Sequence, residues 1–416
     1  MPISTASTAI PPLAALIRRS LLNALEKTDP RSALVLTGPR HSGKTALLQQ
    51  LVGDAGCRWV RGGSDAAELR LSTASEAKQV LSSAAAFVID DAHKAPNIAQ
   101  LLKVLGDAQR SMKKPCRIYI ASSAPLDLKA LPQPAEGEAP RVLAKTVWPF
   151  SLHELAARIT WRTVGGFMER FLVYGTLPMA CLEPEEAESY LKDYCENVLL
   201  RDFFELNPLR RPNEVRTLLK LLARSTGDVV SYDRLGRDLN VSRNTVEDYV
   251  KRLEAHSVIR VCPSFSRRVG SEMKKGKKIY FFDNGVRNAL IGDFSPIKER
   301  SDGEALWENF FFMERVKLHD ALGDGRRIYF WRTTGPITRT LGFVEAEAEG
   351  LDGIEAFDCS LNPALESSPD AKYFLSRYRN ARVTAASPQN VEALFRSAYV
   401  VKDDDACDLG RLLRGG

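Results

Sequence analysis

The sequence predicts an α/β protein in several parts: a parallel sheet opening on a glycine-rich loop, a helical segment, a winged helix-turn-helix and a second, C-terminal α/β segment. Three observations predict it. First, Gly38, Pro39, Arg40, His41, Ser42, Gly43, Lys44 and Thr45 fit the pattern G-x-x-x-x-G-K-[ST] between the apolar run Ala33–Thr37 and Ala46–Leu51, in the order strand, turn, helix. Second, short apolar strands near Cys57–Val60, Ala85–Ile89, Arg117–Ala121 and Val142–Val147 alternate with helical segments such as Ile98–Arg110. Third, Ser231 and Ser242 stand as N-caps of two short helices meeting at Asn240, and two strand-like runs follow.

Composition sets the bounds. A chain of 416 residues is long enough for two or three domains, and 44% hydrophobic with 26% charged residues describes an ordinary globular composition. The net charge of +6 is a mild basic excess, so its placement matters more than its size. Seven cysteines without a C-x-x-C pair and five scattered histidines support neither a zinc site nor a disulfide framework. The start Met1-Pro-Ile-Ser-Thr-Ala6 lacks a basic segment followed by an apolar one, and no apolar run approaches the length of a membrane span. A cytoplasmic protein without a membrane segment is expected.

Taken in order, residues 1–30 hold a flexible start and an amphipathic helix with Leu13, Ile17, Leu21 and Leu25 on one face. Residues 31–151 form the sheet with helices on both faces. Residues 152–212 read as helical, with leucine-rich stretches at Tyr190–Leu200 and onward to Val215–Leu222. The winged helix takes 213–290: Val246, Val250 and Leu253 bury one face of its second helix, and Val258–Cys262 and Lys278–Phe282 are strands around a charged loop. Over 291–402 a helix at Ala305–Ala321 precedes strands at Arg327–Trp331, Gly342–Glu345, Ile354–Asp358 and Ala381–Thr384. Residues 403–416 read as a flexible tail.

The loop at 38–45 is suited to a polyphosphate. Glycines at 38 and 43 let backbone N–H groups wrap the anion, and a helix opening at Lys44 directs its positive end at it. Lys44 would reach the β/γ-phosphates and the Thr45 hydroxyl would hold Mg²⁺. Phe87-Val-Ile-Asp-Asp91 is a Walker B strand, with Asp90 supporting the metal and Asp91 placed to orient the attacking water. ATP and Mg²⁺ are therefore the expected ligands. Asp91 is one methylene shorter than the usual glutamate, which predicts slow hydrolysis or a nucleotide-operated switch. At the end of the next strand Ser122 or Ser123 can touch the γ-phosphate, Ser123 being preferred; a capping serine fits the same position. Arg141, and behind it Arg201, can act in trans across a homo-oligomer; a solvated surface arginine is the alternative.

The second helix of the winged element presents Arg243, Asn244, Thr245, Glu247 and Lys251 outward. Between Arg260 and Lys278 lie Arg267, Arg268, Lys274, Lys275 and Lys277, seven positive charges in all against Glu272. Such a strip suits DNA phosphates, and protein docking with a solvated basic loop is the alternative.

The ordered series of the loop, Asp90-Asp91 with Lys94-Ala95-Pro96, Ser122-Ser123, Arg141, Trp148-Pro-Phe-Ser-Leu-His-Glu154, Tyr174-Gly-Thr-Leu-Pro178, Arg201-Asp202, the winged helix and Tyr280-Phe-Phe-Asp-Asn-Gly285 resembles a prokaryotic family. It is the AAA-type, or archaeal-type, P-loop ATPases with a C-terminal domain of unknown function, and the resemblance spans roughly residues 30–360. It implies an AAA-type sheet, a helical lid over 152–212 and a C-terminal fold like PD-(D/E)xK nucleases. That fold expects a Glu in its first helix, an Asp on a strand and Glu-x-Lys on the next. Glu308 supplies the first, but Gly342 stands at the Asp position and Glu355-Ala-Phe357 replaces the lysine with phenylalanine. Without one carboxylate and the cation, phosphodiester cleavage should be lost. The implied protein is an ATPase whose nucleotide state controls DNA or partner engagement. An interaction switch without DNA binding, and an active nuclease with ligands relocated among Glu308, Glu345, Asp352, Glu355 and Asp358, remain open.

Overall fold

The computed structural model describes residues 29–53, 56–65, 68–95, 97–127, 142–207, 211–265, 276–333, 337–347, 353–362 and 368–396. The helix expected around Leu13–Leu25 and the tail at 403–416 lie outside them. Contacts divide the chain into two units, Met1–Val147 and Trp148–Gly416.

The first unit is a parallel sheet of β1 (Ala33–Thr37), β2 (Cys57–Arg61), β3 (Ala86–Asp90), β4 (Arg117–Ala121) and β5 (Val142–Thr146), ordered β2-β3-β4-β1-β5. Its helices are α1 (Lys44–Val52), α2 (Ala74–Leu81) and α3 (Ile98–Ser111). Strand side chains alternate between faces, and both faces are apolar, as a sheet covered on both sides requires. Val35, Phe87, Ile89, Ile118 and Ile120 pack with Ala77 and Leu81 of α2 and Leu101, Leu105 and Ala108 of α3. Leu34, Leu36, Val88, Tyr119 and Ala121 point the other way, onto Leu47 and Leu48 of α1. Helix α2 starts at a capping box, Thr73 bonding the Glu76 N–H while Glu76 reaches back.

The second unit begins with helices α4 (Leu152–Ile159), α5 (Trp161–Gly166), α6 (Met168–Tyr174), α7 (Pro178–Leu182), α8 (Ala187–Asp193) and α9 (Leu200–Leu206). Where the sequence predicts unbroken helix at 190–200, a π-helical turn spans Tyr194–Leu199. Tyr194 and Cys195, adjacent in sequence, are both buried there, and the Cys195 thiol donates to the Val286 carbonyl at 3.6 Å. Helix α10 (Pro212–Arg224) leads to β6 (Val229–Val230), α11 (Tyr232–Leu239) and α12 (Arg243–Ala255). Ser231 and Ser242 cap the last two helices, and Asn240 makes the turn in the left-handed conformation with φ 52°. Strands β7 (Ile259–Pro263) and β8 (Lys277–Phe281) pair antiparallel, with β6 on the other edge of β8.

After α13 (Asn284–Ile291) the long helix α14 (Gly303–Leu322) runs under a four-stranded sheet. Strands β9 (Arg327–Arg332), β10 (Thr340–Ala346) and β11 (Glu355–Cys359) are antiparallel neighbours. Helix α15 (Pro369–Arg377) then crosses to β12 (Arg382–Ala386), parallel to β11, and α16 (Val391–Phe395) closes the described chain. The two sheets of this unit are joined: Phe265 N–H donates to the Phe330 carbonyl at 2.7 Å just beyond β7. Helix α14 is buried nearly all round, so its charged side chains must find partners. Lys317 donates to Glu314 at 2.7 Å, to the Phe150 carbonyl at 2.9 Å and to the Thr176 hydroxyl at 3.1 Å. Glu314 in turn accepts the Leu152 N–H, and Thr176 N–H donates to Asp283, the N-cap of α13. The three motifs at 148–154, 174–178 and 280–285 are thus one buried polar network, with structural work to do.

Candidate functional site

The loop Gly38–Thr45 leaves β1 and turns into α1 through residues in left-handed conformations, Gly38 with φ 133°, His41 with φ 59° and Gly43 with φ 94°. Ser42 is fully buried within the turn. Lys44 is 7% exposed, and its ammonium donates to the loop's own carbonyls, Gly38 at 2.9 Å and Pro39 at 2.6 Å. Burial, and then the nearby Arg40 charge, pull its pKa down to about 7 against the opposing pull of Asp90 and Asp91.

Strand β3, which carries the expected Walker B acids, lies two strands from β1. The Thr45 hydroxyl nevertheless donates to Asp90 Oδ2 at 2.9 Å, so both expected metal ligands meet. Asp90 Oδ1 accepts the Asp91 N–H at 3.0 Å. Asp91 itself has φ 50° and caps a short turn, Ala92–Lys94, with its carboxylate 3.9 Å from both Arg40 and Lys94. At the end of β4, Ser122 is buried and its hydroxyl donates to the Ala124 carbonyl at 2.6 Å while accepting the Ala124 N–H. That is the capping role, and it leaves Ser123 as the more exposed of the two. His93 Nδ1 lies 3.4 Å from both the Ser122 hydroxyl and the Ser123 N–H. Sequence reasoning passed over His93; its place two residues after the paired acids was the available signal. Arg141 lies outside the described residues. Arg201 is exposed and stands 3.8 Å from Asp202 and 3.9 Å from Glu205.

On α12, Arg243, Asn244 and Lys251 are exposed, whereas Thr245 is half-buried and its hydroxyl is bonded to that of Ser242 at 2.8 Å. Acids accompany the cations: Arg243 is 3.8 Å from Asp233, Lys251 3.0 Å from Glu247 and Arg252 2.8 Å from Asp248. Arg267, Arg268, Lys274 and Lys275 fall outside the described residues, while Lys277 rests over the Tyr232 ring at 5.2 Å. Lys278 drops out of the basic strip. It is buried and bonds Glu308 at 2.8 Å, beside the Tyr280 hydroxyl on the same oxygen.

Glu308 is therefore committed to a lysine and a tyrosine. At Gly342 a Cβ would stand 2.7 Å from Cys359 Sγ, so an aspartate there would have to displace the Cys359 side chain. Phe357 is buried beneath the Arg315 guanidinium at 4.7 Å. Glu345 is fully buried between Arg315, whose Nε donates to it at 2.7 Å, and His319 Nε2 at 3.1 Å. Among the described residues no group of three or more His, Cys, Asp or Glu is placed to hold a metal.

Comparison with known proteins matches two separate stretches of the chain. Residues 30–156 match a family described as an AAA domain, and residues 167–296 match a domain of unknown function, DUF8612. Uncharacterized proteins of Mycobacterium tuberculosis and Mycobacterium bovis are each 28% identical over 323 residues, covering 76% of this chain and 68% of theirs. Among solved structures, a Walker-type ATPase of Pyrococcus abyssi is 14% identical with a TM-score of 0.43, covering 67% of this chain and 94% of that one. A RuvB variant from Thermotoga maritima is 15% identical with a TM-score of 0.30, covering 64% and 90%. A signal-transduction STAND ATPase with a tetratricopeptide repeat sensor, from Pyrococcus horikoshii, is 15% identical with a TM-score of 0.30; the match covers 73% of this chain and 46% of that chain, less than half its length. The chain is an α/β protein whose residues 30–156 match the AAA domain and carry its P-loop on a five-stranded parallel sheet.

Proposed function

We propose that this chain binds Mg·ATP at residues 38–45 and hydrolyses it slowly, and that its nucleotide state governs how the winged helix and the C-terminal sheet engage DNA or a partner. The meeting of Thr45 and Asp90 carries the reading: a hydroxyl and a carboxylate 45 positions apart converge at 2.9 Å beside a glycine-rich loop. Paired oxygen donors of this kind suit Mg²⁺, which when bound offsets phosphate charge. The loop amides and the N-terminus of α1 hold the phosphates. Lys44, bonded to its own loop carbonyls, exchanges them for phosphate oxygens. Asp91 orients water, with Ser123 at the neighbouring strand end and Arg141 and Arg201 as the arginines for action in trans. The AAA match over residues 30–156 supports this assignment.

Phosphate release with and without duplex DNA tests it, Lys44→Ala serving as the blank. Slow release that DNA stimulates and Lys44→Ala abolishes is expected; release that survives Lys44→Ala would remove the reading.

For the second unit the topology of β6, α11, α12, β7 and β8 supports a winged helix, and Arg243, Asn244, Lys251 and Lys277 are its described candidates for DNA contact. The acids beside each cation of α12 favour a second reading, docking of a protein. Salt separates the two. Phosphate contacts predict affinity for duplex DNA falling by roughly 10³ or more between about 50 and 200 mM salt; a partner held by protein docking keeps its affinity. The commitment of Glu308 and Glu345 to cations, and the crowding of Gly342 by Cys359, support a nuclease-like fold without cleavage.

A further inference from the structure

Arg40 and Lys44 are the two cationic side chains inside the loop, and they sit close enough for Arg40 to oppose protonation of Lys44. A loop that holds two like charges together is prepared for an anion. Arg40 also faces the other way, toward the acid at the end of β3. Its guanidinium is 3.9 Å from Asp91 Oδ2, and the Lys94 ammonium is 3.9 Å from the same oxygen.

The main chain under Asp91 is pinned. Asp91 N–H donates to Asp90, and the Asp91 carbonyl accepts from Lys94 N–H at 2.9 Å. Gly62 packs so closely that a Cβ there would overlap that carbonyl. Only the carboxylate of Asp91 is left to move. The contacts that hold it are long and half-exposed, the side chains being 22% exposed at Arg40 and 36% at Asp91. Pairs of that kind are weak and easily exchanged for a stronger anion.

We propose that Arg40 is a positioning residue that couples Asp91 to the phosphates of the nucleotide: without a terminal phosphate it shares the Asp91 carboxylate with Lys94, and toward a triphosphate it turns to the terminal phosphate and leaves that carboxylate to Lys94 alone. The proposal rests on the ATP reading above and adds to it a device by which the loop distinguishes ATP from ADP. No bond is made or broken in the exchange; a guanidinium trades a carboxylate oxygen for a phosphate oxygen. Asp91 loses one of its two cations only when the terminal phosphate is present, so an ADP-loaded loop keeps both on it.

Equilibrium binding of Mg²⁺ with a non-hydrolysable ATP analogue and with ADP tests the idea in wild type, Arg40→Ala, Arg40→Lys, Asp91→Asn and the Arg40→Ala/Asp91→Asn pair. Arg40→Ala should weaken the triphosphate about tenfold and ADP less than about twofold, the loss of one charge-assisted contact. Arg40→Lys should recover part of the difference, and it keeps the test available if Arg40→Ala folds poorly. Asp91→Asn should tighten the triphosphate when Arg40 is present and leave it unchanged in the double variant. Equal losses for both nucleotides, or the same Asp91→Asn effect with and without Arg40, would overturn the proposal while leaving ATP binding intact. Wild-type protein that binds neither nucleotide would overturn the ATP reading itself, and this proposal with it.

Discussion

Glu345 lies on β10 with no exposure, and its carboxylate is met by the Arg315 guanidinium and by His319. Burial raises its pKa, but hydrogen bonds from Arg315 and His319, and then their charges, outweigh that and hold it down to about 2. Burial lowers that of His319, and bonds to Glu345 and Asp324 outweigh it in turn, so its pKa is raised. The depressed carboxylate contributes stability above its ordinary value of 4.5 and loses it as pH falls toward 2. The raised imidazole contributes fully below 6.5 and loses its share as pH rises through its folded value. Glu345→Gln leaves Arg315 buried without its carboxylate and should lower stability by about 3–5 kcal/mol near pH 6. Urea denaturation across pH checks this: the gap to wild type should shrink below pH 4.5, and a constant gap would remove Glu345 as its cause. None of this was legible in the sequence. Glu345 stood there as one acid among several, because its partners come from a helix thirty residues away and leave no local mark.

Elements were easier to read where their ends are set by their own residues. Ser242 accepts the Thr245 N–H at 3.1 Å, and Asn240 occupies the left-handed position between the two helices. Both follow from backbone needs a few residues long, so the sequence predicts the helix pair closely. Ser242→Ala should cost about 1 kcal/mol, and Asn240→Ala about 1–2 kcal/mol through left-handed strain. Asn240→Gly should stay within about 0.5 kcal/mol of wild type; thermal denaturation reads all three, and an Asn240→Gly loss as large as that of Asn240→Ala would show the asparagine side chain, not φ, to be what the turn requires. The strands of the first sheet were legible for a similar reason: apolar runs covered on both faces carry their own signal. The π-helical turn at Tyr194–Leu199 was not, because it answers to packing against Val286 far along the chain.

At the scale of the whole molecule, the sequence suggests a boundary near 290, and hydrogen bonds within the second unit cross it. Asn309 of α14 accepts the Phe281 N–H at 2.7 Å and donates to the Phe281 carbonyl at 3.0 Å, so β8 is bonded to the helix beyond the expected border. Asn284 donates to the Leu172 and Leu306 carbonyls, tying α13 to both the early helices and α14. A fragment of residues 148–416 should therefore unfold as one cooperative transition, while residues 213–290 alone should lack stable tertiary structure. Calorimetry or near-UV circular dichroism of the two fragments decides; a folded 213–290 would restore the boundary. Phe281 and Asn284, which make these bonds, belong to one of the motifs that carried the family resemblance. Their identity was visible from the sequence, but their architectural purpose was not, since hydrogen bonds across 22 to 112 positions have no local signature.

The left-handed backbone at Asp91 also bears on how such a protein can change over generations. Aspartate and asparagine tolerate that conformation better than longer side chains. Lengthening the acid to glutamate therefore meets conformational strain of about 1–2 kcal/mol, whatever longer reach it would give a water-orienting acid. If Asp91 orients water as proposed, a lineage carrying this turn is held near slow turnover unless the neighbouring backbone relaxes first, so a faster variant lies two changes away rather than one.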